Sequence, residues 1–301
     1  MSEAKGVLYL CPTPIGNLED ITLRALKVLK EADYIAAEDT RVTIKLLNHY
    51  EIKGNLISYH EHNKRQKGPE LISLLSEGKT IALVTDAGTP GISDPGEDLV
   101  KEAIDAGIRV IPLPGAVAAI CALIASGLSA ERFVFEGFLP RKTKERKERL
   151  SELSQEKRTM ILYEAPHRIK DTLKDIKKAL GNRQMVVARE ITKMYEEFFR
   201  GSVDQVIDWF SKKPPRGEMV LVIDGLKAPD NQQERVALNV EELLENPNME
   251  SNADFVEFTK QLNLSYEKNL KKGMPKNRAM RKAALEFGIT RNQAYDILMR
   301  K

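Results

Sequence analysis

The run Thr85-Asp86-Ala87-Gly88-Thr89-Pro90-Gly91-Ile92-Ser93-Asp94-Pro95-Gly96 is the segment whose residue types are best suited to hold a ligand. Its glycines and prolines force the backbone onto an unusual path, which leaves amides and carbonyls free, and small hydroxyl residues lie between them. Two other runs share this character: Cys11-Pro12-Thr13-Pro14-Ile15-Gly16-Asn17 and Pro112-Leu113-Pro114-Gly115-Ala116-Val117-Ala118-Ala119. Each follows a short apolar segment, and loops at the carboxyl ends of strands in an open α/β sheet converge on one crevice. None of the three contains GxGxxG, and the chain has no GxxxxGK[ST], so dinucleotide and P-loop chemistry are not indicated.

The elements that must position these loops are legible as apolar runs. Val7–Cys11, Tyr34–Ala37, Leu56–Tyr59, Ile81–Val84 and Arg109–Pro112 are expected strands. Between them lie expected helices over Thr22–Ala32, Glu70–Ser76 and Glu97–Ala106, with Gly78 and Gly107 as left-handed stops, followed by a buried helix over Ala116–Ala125. Near-continuous apolar strands alternating with helices predict a mainly parallel sheet covered on both faces. A second α/β pass has strands at Phe133–Phe135, Met160–Tyr163, Met185–Ala188 and Met219–Ile223, and helices at Arg168–Leu180 and Val203–Phe210. Glu197–Arg200 is a candidate antiparallel addition. The expected division is an N-terminal α/β lobe over 1–115, a second α/β lobe over 116–225, a linker over 226–237 and a small all-α module over 238–301.

The 301 residues carry 47 Lys+Arg against 44 Asp+Glu, a net +3 that conceals a strong asymmetry. Residues 227–266 hold three basic and eight acidic side chains, whereas 268–301 hold ten basic and two acidic. In the basic tail, Lys282 to Thr290 has the form helix, glycine turn at Gly288, helix cap, and Thr290 with Gln293 matches a capping box. Lys276, Arg278, Arg281 and Lys282 crowd around this helix-turn-helix-like pattern, which makes phosphate contact with a nucleic acid the functional expectation; a helical hairpin used only for packing is the alternative.

Two cysteines, Cys11 and Cys121, lie inside apolar stretches without ligand spacing, so neither a disulfide scaffold nor a cysteine metal site is expected, and a reducing cytosol suits them. The first six residues have no apolar core of a secretory leader, and Ala116–Ala125 is shorter than the ~18 apolar residues of a membrane span. A cytoplasmic protein with no membrane partner is the expectation.

The loops DAGTPGISDPG, TPIGN and PLPGA, with Tyr163-Glu164-Ala165-Pro166-His167-Arg168, resemble the tetrapyrrole methylase superfamily, and within it the branch acting on small-subunit ribosomal RNA. The likeness covers roughly residues 6–225, and the basic tail is also like that branch. It implies two αβα lobes with S-adenosylmethionine in the cleft between them, and methyl transfer to the 2′-hydroxyl of a cytidine ribose in small-subunit rRNA, free or in the 30S subunit. It also implies a homodimer. Carried over residue by residue, the cofactor positions are Ile15, Ala87, Gly88, Thr89, Ile92, Val117, Ala118, Tyr163 and Glu164. Porphyrinoid members usually show a glycine-rich first loop and an aspartate where Thr89 stands, a departure that disfavours a tetrapyrrole substrate and puts backbone contacts ahead of side-chain ones at Thr89.

A ribose hydroxyl is a poor nucleophile and needs a proton acceptor. Glu38, Asp39 and His60 are the candidates, with His62 beside them; Asp39 also fits an N-cap of the next helix. Arg141 and Lys142 open a basic run after Gly137-Phe138-Leu139-Pro140 and are expected at the cleft on phosphate. Arg41 and Arg168 lie inside the motifs, on phosphate or in buried ion pairs. Two other readings stay open: a methyltransferase of a porphyrinoid small molecule, and a non-enzymatic, ligand-sensing nucleic-acid-binding regulator.

Overall fold

A computed structural model describes residues 5–227, 253–287 and 289–299. The chain divides into two compact units, Met1–Leu226 and Lys227–Lys301. Most of the expected linker, the first part of the expected module up to residue 252, and the Gly288 turn lie outside the described residues.

In the first unit, β1 (Val7–Leu10), β2 (Tyr34–Ala37), β3 (Leu56–Ser58), β4 (Ile81–Val84) and β5 (Arg109–Pro112) form one sheet in the order β3-β2-β4-β1-β5. Every pairing in it is parallel. The central strand β4 is buried at all four positions, whereas the edge strands β3 and β5 are not, which is why its sequence is continuously apolar. Helices α1 (Leu23–Glu31), α2 (Thr40–His49), α3 (Lys64–Ser76) and α4 (Gly96–Asp105) connect the strands. Helix α3 begins one turn and a half before the expected Glu70 and carries Pro69 as its sixth residue, inside the helix, where the ring removes one backbone N–H donor. Gly78 and Gly107 take positive φ, 86° and 64°, at the ends of α3 and α4.

A second sheet has the order β6-β7-β10-β8-β9, from β6 (Phe133–Phe138), β7 (Thr159–Glu164), β8 (Gln184–Arg189), β9 (Glu197–Ser202) and β10 (Met219–Ile223). Only β6 and β7 pair in parallel; β10 runs antiparallel to both β7 and β8, and β9 antiparallel to β8. The antiparallel edge strand is where the sequence places it, but the reversed central strand β10 is an addition. It follows α8 (Val203–Lys212), which returns the chain from β9 so that β10 enters the sheet from the opposite end. Helix α5 (Ala118–Ser126) lays Ala119, Ala122 and Leu123 on Ile161, Val186, Val220 and Val222 of this sheet, and Ile15 from the first sheet's loop joins the same cluster. The opposite face is covered by α6 (Thr143–Glu152), α7 (Ile169–Leu180) and α8, with Leu150, Leu173, Ile176 and Phe210 in its core.

The second unit contains α9 (Ala253–Lys271), α10 (Lys276–Glu286) and α11 (Arg291–Met299) around Phe258, Leu262, Ala283, Ala284, Phe287 and Ala294. The predicted capping box is present: Gln293 N–H donates to Thr290 Oγ1 at 3.2 Å and Thr290 N–H donates to Gln293 Oε1 at 2.8 Å. Among the described residues no helix is long and apolar enough to cross a membrane.

Candidate active site

The loops after β1 and β4 are stitched together. Thr13 and Gly88 form an antiparallel bridge, and Thr13 Oγ1 donates to the Thr85 carbonyl at 3.0 Å. Gly88 has φ +91°, and a Cβ there would approach Ile15 Cγ2 to 3.3 Å, so only glycine lets the loop lie flat against Ile15. Farther along, the Asp94 carboxylate accepts the amides of Gly91, Ile92 and Gly96 at 2.7 to 3.3 Å, clasping the turn that carries Ile92. Thr89 Oγ1 donates to the Ala116 carbonyl at 3.0 Å, which ties the second loop to the third and commits that hydroxyl.

The second sheet presents its own edge to these loops. Because β10 is antiparallel, its first residue, Met219, pairs with both Glu164 at the end of β7 and Arg189 at the end of β8. Three strand ends thus meet at one edge, and a cavity of about 460 Å³ lies between them and the first sheet's loops. Its lining includes all nine residues Ile15, Ala87, Gly88, Thr89, Ile92, Val117, Ala118, Tyr163 and Glu164. The mixture of apolar walls with a few convergent polar groups, at this volume, is that of a small-molecule site. Tyr163 is fixed by an edge contact with Phe135 and a tilted ring contact with Phe138, and its hydroxyl oxygen accepts the Ala119 N–H at 3.3 Å. Burial pushes its phenol pKa up, so it stays protonated. Glu164 is buried beside Arg168, whose Nε lies 3.0 Å away, and also takes the Thr172 hydroxyl.

The proton-acceptor candidates are placed differently. Glu38 lines the cavity, with Oε2 accepting the Thr85 hydroxyl at 2.7 Å. Asp39 is the N-cap of α2: it accepts the Arg41 amide at 2.8 Å and the Arg41 guanidinium through both oxygens. That guanidinium holds its carboxyl down at about 2. His60 does not line the cavity; its amide donates to Asn63 Oδ1, its ring stands 6.0 Å from His62, and its buried Nδ1 has no hydrogen-bond partner among the described residues.

Of the cationic candidates, Arg41 is exposed but paired with Asp39, and Arg168 is turned inward, donating to the Leu139 carbonyl as well as contacting Glu164. Arg141 and Lys142 are exposed three and four residues beyond the cavity-lining Phe138, and Lys142 pairs with Glu145 at 3.0 Å. In the second unit Lys276, Arg278, Arg281 and Lys282 are all exposed on α10.

The cavity also has walls that sequence reasoning did not name: Glu190, Ile191 and Lys193 in the β8–β9 connection, and Glu218 before β10. Lys193 Nζ bridges Glu190 and Glu218, each at 3.0 Å. Glu190 and Thr192 adopt positive φ, 52° and 66°, without being glycine, so no punctuation residue marks the turn. The signal available was positional: the segment lies at the carboxyl end of an expected strand. Asp86, in the second loop, lines the cavity as well. Burial, with the nearby charges of Glu38 and Asp39, raises its carboxyl pKa. Cys11 is inert, its thiol pushed up to about 12 by burial.

The model of the family described as Tetrapyrrole (Corrin/Porphyrin) Methylases matches residues 7–207. The ribosomal RNA small subunit methyltransferase I of Halalkalibacterium halodurans is 58% identical over 221 residues, 73% of this chain and 76% of that protein. The protein of the same name from Bacillus subtilis is 46% identical over 294 residues, covering 97% of this chain and 93% of its own. Among solved structures, uroporphyrin-III C-methyltransferase from Thermus thermophilus, complexed with S-adenyl homocysteine, superposes with a TM-score of 0.52 at 18% identity, over 73% of this chain and 97% of that one. The methyltransferase CobJ does so with a TM-score of 0.56 at 16% identity, over 74% and 95%.

Proposed function

The chain belongs to the tetrapyrrole (corrin/porphyrin) methylase family, and we propose that it is an S-adenosylmethionine-dependent methyltransferase of small-subunit ribosomal RNA, acting on the 2′-hydroxyl of a cytidine ribose. The observation that carries this reading is the extent of the likeness to relatives named for that RNA. At 97% coverage it necessarily runs into the second unit and most of its basic tail.

The cavity fits the cofactor. Its volume is that of a small-molecule site, Ile15, Ile92, Val117 and Ala118 supply apolar walls, and the absence of a Cβ at Gly88 opens a cradle against Ile15. We assign Ile15, Ala87, Gly88, Thr89, Ile92, Val117, Ala118, Tyr163 and Glu164 to holding it. When bound, S-adenosylmethionine supplies an electrophilic methyl group on a positively charged sulfur. The chain's own work is then placement: the loops, clasped by Asp94 and by the Thr13–Gly88 bridge, would hold the donor beside the incoming hydroxyl, and positioning of this kind removes much of a transfer barrier.

For the RNA we assign phosphate contacts to Arg141 and Lys142 at the β6–α6 loop, and to Lys276, Arg278, Arg281 and Lys282 on α10, where exposure and charge favour them. Arg41, exposed beside Asp39, can exchange its partner for phosphate; Arg168 acts by fixing Glu164. The substrate is the rRNA alone or within the 30S subunit, which places the protein in the cytoplasm, and the working form is a homodimer. Its functional parts are the lobes 1–115 and 116–225, a linker over 226–237 and a nucleic-acid-binding module over 238–301. The test is titration calorimetry with S-adenosylmethionine, followed by transfer of tritiated methyl groups to small subunits or naked rRNA from a strain lacking the gene. Saturable binding and label in RNA are expected; no label in RNA contradicts the reading.

A further inference from the structure

Six carboxylates line the cavity: Glu38, Asp86, Asp94, Glu164, Glu190 and Glu218. Five are already committed. Glu38 takes the Thr85 hydroxyl, Asp94 clasps three loop amides, Glu164 is held by Arg168 and Thr172, and Glu190 and Glu218 share Lys193. Asp86 differs. Among the described residues it makes no hydrogen bond or ion pair with a side chain and accepts a single backbone N–H, from Asp39 to Oδ1 at 3.0 Å. Oδ2 is left open, and the residue is exposed at the lip of the cavity, on the loop whose next residues, Ala87, Gly88 and Thr89, are assigned to the methyl donor.

We propose that Asp86 is the proton acceptor of the reaction, with Oδ2 receiving the proton of the attacking ribose hydroxyl. The assignment rests on the methyltransferase reading above. The ribose oxygen forms its bond to the methyl carbon as the carbon–sulfur bond breaks with its electron pair remaining on sulfur, and the hydroxyl proton passes to Asp86 and then to solvent. The charged groups facing Asp86 suit the task. Partial desolvation is the largest influence raising its affinity for a proton, the Glu38 and Asp39 charges from the segment between β2 and α2 add to it, and the Asp39 amide and Arg41 on α2 oppose them. Asp39 is the weaker candidate because its Oδ1 caps α2 by accepting the Arg41 amide at 2.8 Å, and the Asp39 amide holds Asp86 in place through the oxygen the reaction does not use.

Asp86→Asn tests this directly, because an asparagine oxygen still accepts the Asp39 amide and so preserves any purely architectural role. The full-length variant is expected to bind S-adenosylmethionine and rRNA within about twofold of the unmodified protein. Its single-turnover methyl transfer should fall about 100-fold or more, in keeping with loss of a general base. The acidic limb of the pH–rate profile should disappear with it, and Asp86→Glu should restore part of the rate and the limb. Carbon-13 NMR of labelled aspartate carboxyls gives a readout independent of turnover: one resonance titrating above the ordinary aspartate range should vanish in Asp86→Asn. A variant that transfers methyl groups within threefold of the unmodified protein with the same acidic limb overturns the proposal, as does an Asp86 resonance that titrates at or below the ordinary range. An unmodified protein that binds the cofactor yet labels no RNA overturns the functional reading itself, and is seen before any variant is made.

Discussion

Thr13 and Gly88 exchange two backbone hydrogen bonds, N–H of Thr13 to the Gly88 carbonyl at 2.9 Å and N–H of Gly88 to the Thr13 carbonyl at 3.1 Å. This one bridge joins the loops after two adjacent parallel strands, and it requires the φ of +91° at Gly88 that a side chain resists. Gly88→Val should therefore distort both loops at once. Strain at such a position costs on the order of 1–3 kcal/mol, and the added branches meet Ile15. The expected outcome is a melting temperature lowered by a few degrees and cofactor affinity lowered at least tenfold by calorimetry; unchanged affinity would separate the bridge from the cofactor site.

Arg146, buried under α7, donates through Nε and Nη2 to Asp175 Oδ2 at 2.9 and 2.7 Å, with only 7% and 12% of the two side chains exposed. Arg146→Met leaves that carboxylate without its main partner, and loss of one member of a buried pair costs roughly 3–5 kcal/mol. Lys147, 3.9 Å from the other oxygen, holds the loss toward the lower end. Urea unfolding should show the midpoint falling accordingly, with Arg146→Met/Asp175→Leu recovering part of it.

Asp39 gives a pH dependence with a definite sign. Its carboxyl is held at about 2 by the Arg41 hydrogen bonds, below the 3.8 of an unstructured aspartate. A group depressed on folding contributes stability above its unfolded pKa and loses it as pH falls through the folded one. The stability difference between the unmodified protein and Asp39→Asn should therefore be constant above about pH 5 and shrink between pH 4 and 2. Denaturant midpoints across that range measure it; a difference that grows on acidification contradicts the assignment.

The proposed RNA contacts predict salt dependence. Arg141→Glu should weaken rRNA binding and flatten the plot of log affinity against log salt by about one contact, with cofactor affinity unchanged. Neutralising Lys276, Arg278, Arg281 and Lys282 together should flatten it by roughly 3. Filter binding at four salt concentrations decides this, and an unchanged slope removes the residues from the interface.

The first sheet and its loops were readable because each strand is an apolar run and each loop is punctuated by glycine and proline, as at Gly88 and Gly91. The direction of β10 was not. Met219–Ile223 is buried at every position, and a continuously apolar strand has the same pattern whichever way it runs. The Glu190–Lys193 wall was hidden for a different reason: its left-handed turns fall on glutamate and threonine, residues that carry no turn signal. Arg168 shows a third limit. An arginine in a motif serves a phosphate or a buried carboxylate equally well on paper, and only the packing that turns it toward Glu164 and Leu139 decides. Asp86 stood in plain view within the loop, but its availability is visible only once the other five carboxylates are seen to be occupied.

The central claim is that loops from both sheets hold a methyl donor beside a ribose oxygen. Its most direct measurement is mass spectrometry of nucleosides from gene-deletion small subunits incubated with the purified protein and S-adenosylmethionine. A gain of 2′-O-methylcytidine, dependent on both components, is the predicted result. No methylated nucleoside, or a methyl group carried on a base instead of the sugar, would contradict it.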